Sequence, residues 1–116
     1  MNAGDIGLLS FPFTPREPQP FKKRPVLVLG DAPTSATSDA SILVAMITSS
    51  SARVSNPGRY DVPLEMSEVS GLTVASVCRS NRLWTAEPAD FVKVLGQVTA
   101  SELSSVKALV KEMFSL

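Results

Sequence analysis

The sequence lacks histidine altogether and contains a single cysteine among its 116 residues. Without histidine, nucleophilic sites of the Ser-His-Asp or Cys-His kind are excluded, and so are zinc sites that depend on imidazole. Cys78 has no second cysteine for an internal disulfide, which is typical of a reducing compartment. Its place in an apolar segment predicts a small core residue. Any proton transfer near neutral pH must therefore use another side chain or water.

An excess of charge and long apolar runs are also missing. Eleven basic residues balance eleven acidic ones, which argues against a surface coated with positive charge for nucleic acid. No apolar run approaches the roughly 20 residues of a membrane span. The N-terminus lacks the charged and then apolar pattern of a secretory signal. We therefore expect a cytoplasmic protein with no membrane partner.

The composition is that of a globular domain. Hydrophobic residues make up 44% of the chain and charged residues 19%, a balance that supports a core and differs from that of disordered chains. Since domains commonly hold about 100–150 residues, we assign residues 1–116 to one domain. A domain of this size needs no disulfide framework or structural metal to fold.

Short apolar segments separated by turn residues predict a mainly β fold. The predicted strands cover residues 5–13, 26–29, 41–47, 59–62, 73–82 and 91–98. Residues 14–25 contain prolines at positions 15, 18, 20 and 25, which predicts a stiff loop. A polar connection is predicted over residues 31–40.

The last segment of the chain predicts a helix. Thr99 followed by Glu102 matches a capping box, in which each side chain satisfies the backbone N–H of the other residue. The apolar residues that recur at helical spacing are Leu103, Val106, Leu109, Val110 and Met113. The pattern therefore predicts five or six short strands and one C-terminal helix whose apolar stripe packs on the sheet.

The balanced charge conceals a segregation along the chain. Basic residues fall in three segments, which contain Arg16, Lys22, Lys23 and Arg24, then Arg53 and Arg59, then Arg79 and Arg82. Acidic residues collect elsewhere, in residues 61–68 and 87–90. If the basic segments meet on one face, they form a phosphate-binding cleft, because arginine forks match phosphate oxygens in pairs. The alternative is that these are ordinary solvated charges.

Several short motifs, taken in order, resemble the MazF/PemK family of toxin endoribonucleases. They are Gly4-Asp5-Ile6, Phe11-Pro12-Phe13-Thr14, Arg24-Pro25, Ile47-Thr48-Ser49, Gly71-Leu72, Ser76-Val77 with Arg79, Thr85, and Leu95-Gly96-Gln97-Val98. The resemblance covers essentially the whole chain. It implies an SH3-like small barrel of five to seven strands with a C-terminal helix, working as a homodimer.

The resemblance also implies an activity and its partners. Members of the family cleave single-stranded RNA, often mRNA, at specific sequences without a metal ion or another cofactor. The RNA 2′-hydroxyl attacks the adjacent phosphorus and leaves a 2′,3′-cyclic phosphate and a 5′-hydroxyl. A cognate antitoxin protein occupies the RNA site and keeps the enzyme silent.

Three residues match catalytic positions of the family. The resemblance implies that Arg24 binds the phosphate and stabilises its charge, and that Thr48 donates a hydrogen bond to it. Arg79 matches an arginine that serves PemK-like members as an acid or a phosphate clamp. The RNA-binding candidates are Arg16, Lys22, Lys23, Ser49, Arg53, Asn81, Arg82 and Trp84. Among them, the Trp84 ring is suited to stacking on a base.

The chain departs from the family at the general base. PemK-like members carry an aspartate two residues after the strand arginine, where this chain has Asn81, and an amide only orients a hydroxyl or water. A relative that binds RNA or an antitoxin without cleaving is therefore one alternative. A gyrase poison of the CcdB type is another, although that type acts through a terminal tail containing tryptophan. This chain ends in Met113-Phe114-Ser115-Leu116.

Overall fold

The computed structural model describes residues 1–12, 21–31 and 41–115. Its elements are β1 (Asp5–Pro12), β2 (Phe21–Asp31), β3 (Ile42–Thr48), α1 (Ser51–Ser55), β4 (Asp61–Leu64), β5 (Ser76–Ala86), a 3-10 turn (Pro88–Asp90), β6 (Phe91–Gln97) and α2 (Ala100–Phe114). The predicted mainly β fold with a C-terminal helix is confirmed.

All six strands belong to one sheet, in the order β4-β5-β3-β2-β1-β6. Every neighbouring pair of strands is antiparallel, and the number of strands falls within the predicted five to seven. In the part of the chain that the structure describes, the outer strands β4 and β6 do not pair with each other. The sheet therefore remains open and does not close into a complete barrel.

Two apolar clusters hold the sheet together, one on each face. The first contains Val106 of α2 and the strand residues Ile6, Leu27, Leu29, Ala45, Ile47 and Cys78. The second contains Leu9, Val26, Val28, Ile42, Val44 and Ala86. Successive residues of a strand point to opposite faces, which is why Val26 and Leu27 enter different clusters. Helix α2 thus packs on the face that carries the first cluster.

Helix α2 begins as the sequence predicts. Thr99 Oγ1 accepts a hydrogen bond from Glu102 N at 3.1 Å, and Glu102 Oε1 accepts one from Thr99 N at 2.9 Å. The other carboxylate oxygen of Glu102 accepts from Glu65 N at 2.6 Å, which ties the helix to the residue after β4. Val106 is fully buried against the sheet. The capping box is confirmed.

Thr99→Ala is expected to lower the free energy of unfolding by about 1 kcal/mol, the usual cost of losing an N-cap side chain. The loss leaves the N–H of Glu102 without its side-chain acceptor. Urea denaturation monitored by circular dichroism measures the change, with Ser101→Ala in the exposed first turn as the control. Equal midpoints for the two variants would contradict the prediction.

The predicted loop over residues 14–25 is wrong at its C-terminal end. Strand β2 begins at Phe21 and contains Pro25. In this part β2 pairs with β1, where Leu8 lies opposite Pro25, but its pairing with β3 begins only at Val26. Pro25 thus lies where β2 has a neighbour on one side, the position in which a sheet tolerates proline. Residues 13–20 and 32–40, with the rest of that loop and most of the polar connection, lie outside the described residues.

Other element boundaries also differ from the sequence-based prediction. Strand β4 begins at Asp61, two residues later than predicted, and β5 covers Ser76–Ala86 instead of residues 73–82. An irregularity inside β5 interrupts its alternation, which is why the pattern ended too early. Helix α1 was not predicted because its 5 residues are too few to show a helical period.

Candidate active site

The candidate site is built on the face of the sheet that lies away from α2. Across four neighbouring strands the register aligns Val26, Met46, Arg79 and Asp61. Paired residues of antiparallel strands project to the same face, and Val26 belongs to the second apolar cluster. The register therefore places Arg79 and Asp61 beside that cluster.

Arg24 and Thr48 extend the same face toward the ends of their strands. Each lies two residues from the aligned pair Val26 and Met46, and residues two apart in a strand share a face. Both side chains are half-buried, and Nε of Arg24 is enclosed by the protein. The two side chains therefore face the same side as Arg79.

Two adjoining cavities lie at this position and share Arg24, Ile47 and Thr48. The first has a volume of about 280 Å³ and is completed by Lys23, Pro25, Ser49 and Ser50. The second has a volume of about 260 Å³ and is completed by Met46, Arg79 and Arg82. The structure thus brings together candidates from three separate segments, namely Lys23, Arg24, Thr48, Ser49, Arg79 and Arg82.

Arg79 and Arg82 line one cavity because β5 is irregular between them. Met46 pairs with Arg79 while the preceding Ala45 pairs with Leu83, so residues 80–82 bulge from the ladder with β3. In a regular strand, residues three apart point to opposite faces. A bulge changes the direction of the side chains that follow it, and here it directs Arg82 to the cavity of Arg79.

The Thr48 hydroxyl is held in place by the backbone that follows β3. Its Oγ1 accepts a hydrogen bond from Ser50 N at 3.2 Å. A hydroxyl carries one donor proton in addition to its acceptor lone pairs. This contact therefore fixes the oxygen at the strand end and leaves the proton for donation to an anion in the cavity.

Asp61 is the residue of this site that the sequence analysis did not find. Its side chain is only 3% exposed, with Oδ1 at 3.7 Å from Nε of Arg79 and Oδ2 at 3.6 Å from Nη1 of Arg53. Asp61 belongs to one of the acidic stretches of the sequence, and the fold places it in contact with two arginines. The signal that could have found it is the pairing of β4 with β5, which puts Asp61 opposite Arg79.

The charge around Arg79 is predominantly positive. Burial lowers the pKa of Arg79 below its ordinary value, and the nearby charges of Arg53 and Arg82 lower it further, while Asp61 acts in the opposite direction. The Arg79 side chain is 19% exposed. A partly buried group of positive charges attracts an anionic ligand, and phosphate matches the arginine fork.

The other RNA-binding candidates lie beside the cavities or outside the described residues. Arg53 is 45% exposed, and Asn81 is exposed on the bulge. Trp84 is 44% exposed and is paired with Val44 on the same face of the sheet. Arg16 and the side chain of Lys22 are outside the described residues.

Arg59 does not join this site. Its guanidinium contacts the carboxylate of Glu112 on α2 and lies over the ring of Tyr60 at 5.5 Å from the centroid. Of the three basic segments, those of Arg24 and Arg79 therefore line the cavities. The third segment contributes Arg53, which contacts Asp61, and Asp61 in turn contacts Arg79.

Residues 1–12, 21–31 and 41–115 contain no group of three or more His, Cys, Asp or Glu side chains arranged to hold a metal ion. Of the helices that the structure describes, none has the length and apolar character needed to cross a membrane.

Cys78 lies in the first apolar cluster, as predicted. Burial raises the pKa of its thiol to about 12, and the negative charge of Asp61 contributes to the increase.

Because the thiolate is the reactive form of cysteine, we expect Cys78 in the native protein to resist iodoacetamide at mildly alkaline pH and to react fully in concentrated guanidinium chloride. Mass spectrometry measures the labelling, and rapid modification of the native protein would contradict the prediction.

Several characterised proteins are similar to this chain over nearly its whole length. The endoribonuclease MazF6 of Mycobacterium tuberculosis is 29% identical over 102 residues, which is 88% of this chain and 87% of that protein. The MazE–MazF structure from Deinococcus radiodurans superposes with a TM-score of 0.71 at 18% identity, covering 100% of this chain and 96% of that one. The M. tuberculosis toxin MazF-mt6 gives a TM-score of 0.66 at 22% identity, covering 97% of each chain.

The similarity to solved structures shows the fold, and the sequence match shows the family. Residues 2–114 match the family described as PemK-like, MazF-like toxins of type II toxin–antitoxin systems. The match includes every residue that lines the two cavities. With its six-stranded sheet and C-terminal helix, the chain belongs to the family of PemK-like, MazF-like toxins.

Proposed function

We propose that this protein is the toxin of a type II toxin–antitoxin system and an endoribonuclease that cleaves single-stranded RNA, including mRNA, at specific sequences without a metal ion. The observation that carries the proposal is the meeting of Arg24, Thr48 and Arg79 at two adjoining cavities. Two guanidinium groups and a hydroxyl are suited to holding a phosphodiester and stabilising added negative charge on it. The similarity to MazF6, an endoribonuclease, supports the same activity.

In the proposed reaction, the RNA 2′-oxygen bonds to the adjacent phosphorus while the bond from phosphorus to the 5′-oxygen breaks. The products are a 2′,3′-cyclic phosphate and a 5′-hydroxyl. Arg24 binds the phosphate and stabilises the phosphorane by its charge, while Thr48 donates a hydrogen bond from its hydroxyl to a phosphate oxygen. Arg79 clamps the phosphate or supplies the proton that the departing 5′-oxygen requires.

The 2′-hydroxyl proton needs an acceptor. Among the described residues, the lining of the two cavities contains no carboxylate or imidazole, and the amide of Asn81 is a poor base. The described residues that line the cavities therefore do not supply the general base. The backbone of the RNA on either side of the scissile phosphate is held by Lys23, Ser49, Arg82 and Arg53, with Arg16, Lys22 and Asn81 as further contacts. Trp84, exposed on the same face, stacks on a base.

We further propose that the protein works as a homodimer in the cytoplasm, where mRNA is present, under the control of a cognate antitoxin. The fold is shared with MazF in the MazE–MazF structure from D. radiodurans. An acidic antitoxin segment bound over the positive cavities would exclude RNA, because both would compete for Arg24, Arg79 and Arg82.

Cleavage of RNA by the purified protein, free of any antitoxin, tests the function directly. A long single-stranded RNA incubated in EDTA should be cut, and end-group analysis should find cyclic phosphates and 5′-hydroxyls. Intact RNA across a broad set of sequences would refute the endoribonuclease activity.

A protein that binds RNA without cleaving it is the second candidate, and Asn81 at the position of the expected aspartate favours it. In that case the RNA is retained but remains intact. Its affinity falls with salt, with a slope that reports the number of phosphate contacts. Filter binding on the same RNA distinguishes this outcome from the first.

A further inference from the structure

We infer that Asp61 is a positioning residue for Arg79: it holds the guanidinium at Nε, so that the terminal nitrogens face the phosphate site. The inference rests on the proposed function, because it gives Arg79 its orientation in that reaction. Neither the resemblance nor any motif in the sequence assigns a role to Asp61.

Asp61 and Arg79 form an ion pair on the Nε side of the guanidinium, without a hydrogen bond between them. Asp61 lies opposite Arg79 in the register of β4 and β5, and its Oδ1 is 3.7 Å from the buried Nε of Arg79. The guanidinium group is planar and carries five donors in a rigid fork. Contact at Nε therefore leaves donors on the far side of the fork for an anion in the cavity that Arg79 lines.

The carboxylate of Asp61 is itself bound by the protein. Its Oδ2 accepts a hydrogen bond from Gly58 N at 2.9 Å and lies 3.6 Å from Nη1 of Arg53. With a side chain only 3% exposed, Asp61 is shielded from a substrate as large as RNA. It acts through Arg79 and is not a candidate for the general base.

Asp61 also offsets a concentration of positive charge. Arg53 and Arg82 both act on Arg79 electrostatically, and Asp61 opposes them. Within the described part of the chain, Asp61 is the one acidic residue in ion-pair contact with Arg53 or Arg79. Without its charge, repulsion among three arginines would drive the long Arg79 side chain toward solvent. The carboxylate beside Arg79 thus comes from β4, whereas Asn81 occupies the nearby position on β5.

The variant Asp61→Asn removes the charge and preserves the shape and an acceptor for Gly58 N. We expect kcat to fall about 10- to 100-fold, the scale of a misplaced catalytic group, while KM for RNA changes less than about threefold. In an Arg79→Ala background, single-turnover rates should show no further loss from Asp61→Asn, because the two residues act as one unit. An unchanged kcat, or losses that multiply in the double variant, would overturn the inference.

The control is Glu112→Gln, which also converts a carboxylate to an amide in an ion pair with arginine. Glu112 contacts Arg59 on the surface of α2, away from the cavities. Its kcat should equal that of the wild type. A loss as large as that of Asp61→Asn would show that breaking any ion pair impairs the enzyme, and would also overturn the inference.

A second readout does not depend on cleavage. The Arg79 Nε–H signal in nitrogen-15 NMR, assigned by its disappearance in Arg79→Lys, should exchange slowly with water in the wild type and lose this protection in Asp61→Asn. A signal that is unprotected in the wild type, or equally protected in both proteins, refutes the positioning role.

If the wild type cuts no RNA but the protection of the Arg79 Nε–H depends on Asp61, the proposed function fails and the positioning role stands. If Asp61→Asn does not fold, the same comparison is made with Asp61→Glu, whose longer side chain displaces the carboxylate from Nε; equal protection in Asp61→Glu and the wild type then refutes the positioning role.

Discussion

Arg24→Ala is expected to reduce kcat for RNA cleavage by about 10²- to 10³-fold, the usual cost of removing one preorganised group that stabilises transition-state charge. Arg24 is expected to have this effect because it lines both cavities together with Thr48. Its Nε is enclosed by the protein, and water therefore cannot readily replace it. The negative charge that develops on the phosphorane would lose one of its fixed counter-charges.

Single-turnover cleavage of one RNA, followed by gel electrophoresis, measures the effect. Arg59→Ala is the matched control, since it also removes an arginine but one that contacts Glu112 on α2. Thermal unfolding of both variants should resemble that of the wild type, because Arg24 lies outside the two apolar clusters. If Arg24→Ala cleaves as fast as Arg59→Ala, Arg24 has no part in the mechanism.

Gly96→Ala is expected to cause the largest loss of stability. A Cβ at Gly96 would lie 2.5 Å from the carbonyl carbon of Ser70 and in direct overlap with the carbonyl oxygen of Val69. Both contacts are with backbone, which cannot rotate away as a side chain could. Overpacking against backbone is expected to cost about 3 kcal/mol, which corresponds to a decrease in Tm of roughly 10 °C for a domain of this size.

The overlap arises because two backbone segments cross at this point. Gln97 N donates a hydrogen bond to Val69 O at 2.8 Å, which holds the segment before β5 against β6. Gly71 stands on the other side of the crossing with φ at +72°, and a Cβ there would lie 2.8 Å from the carbonyl carbon of Leu95. Gly71 and Gly96 are therefore both required by the same close approach.

Gly30→Ala is the matched control for Gly96→Ala. A Cβ at Gly30 meets no atom within 4 Å, and Gly30 lies in a strand like Gly96. Thermal unfolding followed by circular dichroism should therefore show a small change for Gly30→Ala and a large one for Gly96→Ala. Equal Tm values for the two variants would contradict the crossing as the reason for glycine.

The two glycine motifs show how far a sequence can be interpreted. Gly71-Leu72 and Leu95-Gly96 were visible as part of a family resemblance, but the sequence supplied no reason for either glycine. The reason is a contact between segments distant in the chain, and no local pattern encodes it. Pro25 is a similar case. The prolines of residues 14–25 predicted a loop, but Pro25 lies in a strand because β2 pairs only with β1 at this position.

The existence of the strands, the capped C-terminal helix and the family could all be predicted from short stretches of sequence. Alternation in the strands, the helical spacing of the last segment and the Thr99–Glu102 box are properties of a few neighbouring residues. Local energies therefore suffice to specify them. The motifs also identified Arg24, Thr48 and Arg79 as candidates before their positions were known.

Which charged side chains meet at the cavities depends on the folding of the whole sheet. The register of β4 with β5 places Asp61 against Arg79, and the bulge in β5 turns Arg82 to the same side. A shift of one residue in either register would send these side chains to the opposite face. Register depends on how all the strands pack together, which is why no local pattern predicted the burial of Asp61 against Arg53 and Arg79.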